Sequence, residues 1–227
     1  MVSVLAFDSA GPGCSAAVWR DGDILSRRSA PMERGQAEHL VPMIAAVLEE
    51  AGIPATRLDL IAVTTGPGAF TGLRIALAAA RGLALASDVP VMGITSFAAV
   101  AAQVPVAERQ GRRLVVALES KRAEFYLQAF GADGEPVGES ALVAPIDCGR
   151  WLGDTPLLLA GDAAERLAAV LPERALARAS SPGIPDAAVI ARLAAATWRP
   201  GLRPPPPRPL YLRPPDTTQP RRGTVAR

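Results

Sequence analysis

The stretch Thr64-Thr65-Gly66-Pro67-Gly68-Ala69-Phe70-Thr71-Gly72-Leu73-Arg74 constrains this chain more than any other. It joins an apolar run, Leu60-Ile61-Ala62-Val63, to a helix-like run from Leu73 to Ala86. A strand, a glycine turn and a helix N-terminus in that order can hold phosphate, because free backbone N–H groups point outward and the helix dipole adds positive potential. Neither common phosphate motif is met. A P-loop needs G-x-x-x-x-G-K-[ST], and no lysine follows here; the nearest cation is Arg74. A dinucleotide fingerprint needs G-x-G-x-x-G. Gly66 and Gly68 fit it, but Thr71 replaces the third glycine and Gly72 comes one residue late. The alternative is a tight turn in which Gly72 lets the next helix sit close to the sheet.

Around this turn the pattern is α/β. Val2 to Phe7 reads as a buried strand ending at Asp8, and Cys14 to Arg20 as a second strand. Asp21-Gly22 is a hairpin signal that returns Ile24 to Ser29. Gln36 to Ala51 reads as a helix with Leu40, Ile44, Val47, Leu48 and Ala51 on one face, and Pro42 falls near its start. Val89 to Ile94 is a further strand, and Ser96 to Gln103 a short helix capped by Ser96 or Thr95. Gln103 to Arg113 reads as a linker. Three more strands follow (Leu114 to Leu118, Glu124 to Phe130, Pro136 to Ala144), then a short helix near Ile146 to Leu152. A strand at Leu157 to Ala160 and helices at Ala163 to Leu171 and Ile184 to Trp198 complete the pattern. The expected units are 1–105, 106–199 and a Pro/Arg-rich tail, 200–227, in which Pro204 to Pro207 is polyproline II and no core can form.

Composition excludes several functions. Hydrophobic residues are 49% and aromatics 4%, so the core is built from Ala, Leu and Val. The net charge of +2 traces to arginines at the C-terminal end (Arg199, Arg203, Arg208, Arg213, Arg221, Arg222, Arg227), which leaves the folded part close to neutral or acidic. Cys14 and Cys148 make no disulfide framework, and the start lacks a signal peptide, so a cytoplasmic setting is expected. No apolar run lasts 18 residues without a charge, so no membrane association is expected. His39 is the only histidine, which leaves little for a zinc site.

Two groups of residues carry a resemblance. Phe7-Asp8-Ser9-Ala10 with Cys14-Ser15-Ala16-Ala17-Val18 is one. Gly66-Pro67-Gly68-Ala69-Phe70-Thr71-Gly72-Leu73-Arg74-Ile75, with Leu210-Tyr211-Leu212-Arg213 near the end, is the other. The chain resembles the actin, Hsp70 and sugar-kinase (ASKHA) superfamily, and within it the bacterial TsaB (YeaZ) family over about residues 1 to 213. The resemblance implies a two-domain α/β fold, each domain a mixed sheet with a three-strand meander and packed helices. It implies a noncatalytic subunit in forming N6-threonylcarbamoyladenosine at position 37 of tRNAs that read ANN codons. The implied partners are a TsaD-like catalytic paralogue, a TsaE-like ATPase, a second copy when the chain is alone, and tRNA through the complex. The catalytic paralogue carries a histidine pair at i, i+4. The matching positions here are Ser96 and Val100, so no catalytic or metal-ligating residue is expected.

Asp8, Gly68, Thr71 and Gly72 are the vestigial nucleotide-binding candidates, and the favoured reading of Asp8 is a strand-end carboxylate satisfied by turn N–H groups. Glu119-Ser120-Lys121-Arg122-Ala123-Glu124-Phe125-Tyr126 resembles the family's opening of domain two but has Glu for Asp at 119 and Ala for Gly at 123. No cofactor is expected for the chain alone, with ATP and Mg confined to an interface of the complex. The helices Gln36 to Ala51 and Leu73 to Ala86 are apolar over more than one face, as a partner surface would be. The expected contact residues are Gln36, His39, Leu40, Met43, Leu73, Arg74, Leu77, Ala80 and Arg81. The competing reading is an ATP-dependent small-molecule kinase or phosphotransferase using Asp8, Thr71 and the glycine turn.

Overall fold

A computed structural model describes residues 1–171 and 176–213. The first strand, β1 (Ser3–Asp8), is buried at every position, as its unbroken run Val4-Leu5-Ala6-Phe7 requires of a strand covered on both faces. It pairs antiparallel with β2 (Gly13–Arg20), which turns at Asp21-Gly22, both at positive φ, into β3 (Asp23–Pro31). After α1 (Gln36–Ala51), β4 (Leu60–Thr64) joins β1 in parallel. Past α2 (Phe70–Ser87), β5 (Val91–Ile94) joins β4, giving the order β3-β2-β1-β4-β5. Helix α3 (Ser96–Ala101) is capped by Thr95, whose Oγ1 accepts from the Ala98 N–H at 3.1 Å.

The second sheet repeats the plan. The one-turn α4 (Val106–Arg109) leads to β6 (Arg113–Glu119), β7 (Phe125–Phe130) and β8 (Pro136–Val143). Then come α5 (Cys148–Leu152), β9 (Leu157–Ala160), α6 (Ala164–Ala169), β10 (Leu176–Arg178) and α7 (Ala187–Thr197). The order is β10-β9-β6-β7-β8. Two mixed sheets of the expected actin/Hsp70/sugar-kinase type, each with a meander and packed helices, are therefore present.

Packing explains where the sequence reading shifts. α1 and α2 cover one face of the first sheet, burying Leu40, Ile44, Val47, Leu73 and Leu77 against Leu5, Phe7, Ile61 and Val63. The other face, Val4, Ala6, Leu60 and Ala62, is covered by Ile190, Ala191, Ala194 and Trp198. Helix α7, expected with residues 106–199, thus crosses back to the first sheet. The expected linker is not loose either: Arg109 is buried in α4 and donates to the Ala101 and Val104 carbonyls, each at 2.7 Å. β10 was not legible, because Leu176-Ala177-Arg178 is too short to show a period. α3 packs onto β6, and Phe97 and Val100 join Leu114, Val116 and Leu118 in a core shared by the two units.

The tail expected from residue 200 is structured as far as it is described. Leu210 and Leu212 pack against that shared core, and Pro207 is buried over Gly93 of β5. Residues 214–227, with Arg221, Arg222 and Arg227, lie outside the described residues.

Candidate functional site

The glycine turn is sealed by its own chain. The Ala69 N–H donates to the Ala10 carbonyl at 2.8 Å, and Ser9 Oγ donates to the Gly72 carbonyl at 2.7 Å. A Cβ on Gly68 would press on the Ala10 carbonyl, and one on Gly72 would overlap the Ser9 carbonyl oxygen. The Ser9-Ala10 turn therefore fills the space beside the turn, and the two glycines permit that contact. Helix α2 starts at Phe70 rather than Leu73, which leaves Thr71 exposed in its first turn.

Asp8 is 3% exposed. Its carboxylate accepts from the Ala10 N–H at 3.0 Å, from the Gly11 N–H at 3.4 Å and from the Thr64 hydroxyl. Burial pushes its pKa up, against the pull of those hydrogen bonds. The side chain ties β1, β4 and the β1–β2 turn together. Beside it a small cavity of about 110 Å³ also takes in Cys14, whose thiol is pushed up to about 11 by burial and by Asp8. Burial likewise holds Cys148 at about 11, so neither cysteine is a ready nucleophile at neutral pH.

A cleft of about 410 Å³ lies between the units. Gly68, Ala69 and Ser96 line one side; Glu119, Lys121 and Asp162 line the other, with Glu33 and Arg34 at the rim. Arg166 clasps both Glu119 oxygens at 2.9 Å, and Asp162 accepts from the Glu119 N–H at 2.9 Å. Burial raises the Asp162 pKa. With Glu119 neutralised by Arg166, the cleft offers Arg34 and Lys121 beside Glu33 and Asp162, a near-even balance rather than a basic cradle for a polyphosphate. Gly161 is closed onto the Ala117 carbonyl, so no open turn precedes Asp162. Ser96 Oγ is buried without a hydrogen-bond partner, and Val100 is in the core. Among the described residues no group of three or more His, Cys, Asp or Glu side chains is placed to hold a metal ion.

The remaining feature is the outward face of α1 and α2. Here the structure corrects the residue choice. Leu40, Leu73, Leu77 and Ala80 are 0–3% exposed because they face the sheet, so they are core rather than contact residues. His39, Arg74 and Arg81 are exposed; Gln36 and Met43 are partly buried. His39 Nδ1 lies 2.9 Å from the Gly35 carbonyl, and the Gln36 amide donates to the Met32 carbonyl at 3.5 Å. The expected contact list omits the residues that point outward: Val41 (58% exposed) and Ala45 on α1, and Ala78, Gly82 and Leu85 (89% exposed) on α2. The signal was available in the 100° step, because Ala78, Gly82 and Leu85 lie opposite Leu73, Ala76 and Ala80. α2 is also long and apolar enough to cross a bilayer by length and composition, but its inner stripe is core of the first unit.

Arg74 and Arg81 have partners of their own. The Arg74 guanidinium lies 3.7 Å from the Phe70 ring centroid, and its Nε donates to the Tyr211 hydroxyl at 3.2 Å. Arg81 donates to the Pro207 carbonyl at 3.1 Å.

Residues 30–181 match the family described as TsaD: tRNA N6-adenosine threonylcarbamoyltransferase. The chain is 32% identical over 133 residues to the tRNA threonylcarbamoyladenosine biosynthesis protein TsaB of Escherichia coli, covering 57% of this chain and 55% of that protein. The match thus spans about half of that relative's length. An uncharacterized protein of Mycobacterium tuberculosis is 34% identical over 218 residues, covering 94% and 93%. The crystal structure of YeaZ from Pseudomonas aeruginosa superposes with a TM-score of 0.78 at 28% identity, covering 93% of this chain and all of that one.

Proposed function

The chain belongs to the TsaB (YeaZ) family, and on that premise we propose that it is a noncatalytic subunit in forming N6-threonylcarbamoyladenosine at position 37 of tRNAs that read ANN codons. It works in the cytoplasm beside a TsaD-like catalyst and a TsaE-like ATPase, and reaches tRNA through that complex. Alone, it pairs with a second copy. ATP and Mg belong to an interface of the complex and not to this chain by itself.

The observation that carries this reading is the outward face of α1 and α2. Val41, Ala45, Ala78, Gly82 and Leu85 leave apolar and small side chains open to solvent on neighbouring helices. Small residues allow another backbone to approach closely, and a contiguous exposed apolar face marks an interaction site. The closed glycine turn, the hydrogen-bonded Asp8 and a cleft without a net basic lining support a partner role over the kinase or phosphotransferase reading, which needs an open cradle for phosphate.

Two substitutions one residue apart test the face. Ala78 is exposed and Leu77 is 3% exposed. Ala78→Glu is expected to leave the monomer folded, abolish self-pairing in sedimentation and lower threonylcarbamoyl transfer by the reconstituted complex at least tenfold. Leu77→Glu is expected to unfold the chain, since it buries an unpaired charge. Unchanged assembly and transfer with Ala78→Glu would reject the mapped face.

A further inference from the structure

Residues 203–213 run from the end of the first sheet's covering helix back across both units. Pro207 lies on Gly93 of β5, where a glycine Cβ would come within 3.1 Å of the proline ring. Next, the Leu210 N–H donates to the Thr65 carbonyl at 2.7 Å, at the root of the glycine turn. A Cβ on Gly66 would come within 3.4 Å of the Leu210 carbonyl, so the turn and the segment lie backbone to backbone. Tyr211 then rests on the first turn of α2, its ring centroid 5.4 Å from that of Phe70 and its hydroxyl taking the Arg74 Nε–H. Phe70, Arg74 and Arg81 fall on one side of α2 by their spacing, and all three meet this segment or its neighbours. On the far side, Leu210 and Leu212 enter the core shared with the second sheet, and Arg213 pairs with Glu124 at 2.8 Å.

We infer that residues 203–213 form a clasp that couples the glycine turn and the N-terminal half of α2 to the second unit. Its position decides what it controls. It touches the turn, α2 and the second sheet, and it flanks the outward face of α2 without covering Ala78, Gly82 or Leu85. Its chemistry makes it releasable. Its attachments are the Leu210 backbone hydrogen bond, the Arg74 and Arg81 hydrogen bonds to Tyr211 and the Pro207 carbonyl, the tilted Phe70–Tyr211 ring pair, an exposed Arg203–Asp88 ion pair, the Arg213–Glu124 ion pair, buried Pro207 and two partly buried leucines, each modest alone. Pro204 to Pro207 and Pro209 hold φ near the extended range, so little chain entropy is lost when the segment docks. Docked, the clasp holds α2 for a partner; released, it frees the turn and lets the units move apart. The inference rests on the proposed partner reading only for the use of the α2 face. The test reads the chain alone, so the two can fail separately.

Hydrogen exchange read by mass spectrometry tests the clasp. A chain ending at Pro209 is compared with one ending at Arg213, which keeps every contact above. Exchange at residues 65–74 and 114–118 is expected to quicken at least tenfold in the shorter chain, with β2 and β3 unchanged. Should the shorter chain fail to fold, Tyr211→Ala and Arg213→Ala separate the two anchors. Tyr211→Ala is expected to quicken exchange in residues 65–74 alone, and Arg213→Ala to quicken it in 114–130 alone. Exchange that rises evenly, β2 and β3 included, would make the segment a general stabiliser. Exchange that does not change would make it idle. Either result overturns the clasp.

Discussion

Asp8 and Gly72 show how single residues at this site serve the fold. Between the unfolded carboxyl pKa of about 3.9 and the raised folded value, the unfolded chain binds fewer protons than the native one. Stability therefore falls as pH rises through that window. Asp8→Asn keeps the size and an acceptor for the Ala10 N–H but removes the buried charge. Urea unfolding at a series of pH values is expected to show wild-type stability, measured against Asp8→Asn, declining above pH of about 4. Gly72→Ala forces a Cβ onto the Ser9 carbonyl and is expected to cost about 1–3 kcal/mol in urea unfolding. Both roles were half legible. Gly68 and Gly72 stand out in any reading of the turn, and Asp8 was read as a strand-end carboxylate as well as a ligand. Ser9 and Ala10, which do the sealing, stand out through the resemblance alone and by no turn pattern of their own. Their effect depends on a backbone approach between residues about sixty apart.

Among the elements, α1 and α2 were legible as helices by their 3.6-residue period, but their orientation was not. α2 is apolar all round, so hydrophobicity could not say which side meets the sheet; only burial separates Leu77 from Ala78. α7 posed a harder case. Its apolar run was legible, but Asp186, inside the helix expected from Ile184, is its cap and accepts from the Ala188 N–H at 2.9 Å and the Val189 N–H at 3.4 Å. The helix's destination was not legible, because the whole second sheet intervenes in sequence. Asp186→Ala is expected to lower stability by about 1 kcal/mol from the lost cap. Its ion pair with the half-exposed Arg27 adds little in water. Calorimetry should register a drop of about 2–4 °C in Tm for a chain of this size.

At the scale of the whole molecule, the first sheet and four strands of the second were legible, because the central strands are short apolar runs and the outer strands of each meander follow them through glycine or proline turns. The seams between the sheets were not read, because α3, α7 and the segment after Arg199 each take part in a core that is not sequence-local. A fragment of residues 1–105 makes this concrete. It contains all five strands of the first sheet but not Ile190, Ala191, Ala194 or Trp198. It is expected to bind hydrophobic dyes and to lack the near-ultraviolet circular dichroism of a fixed core; a cooperative unfolding transition would count against this. The same feature sets a timetable for the ribosome. The first sheet is finished early in synthesis, yet one side of it stays bare until α7 has left the exit tunnel. The N-terminal half must wait, unfinished and sticky, for most of the message to be read before it can close.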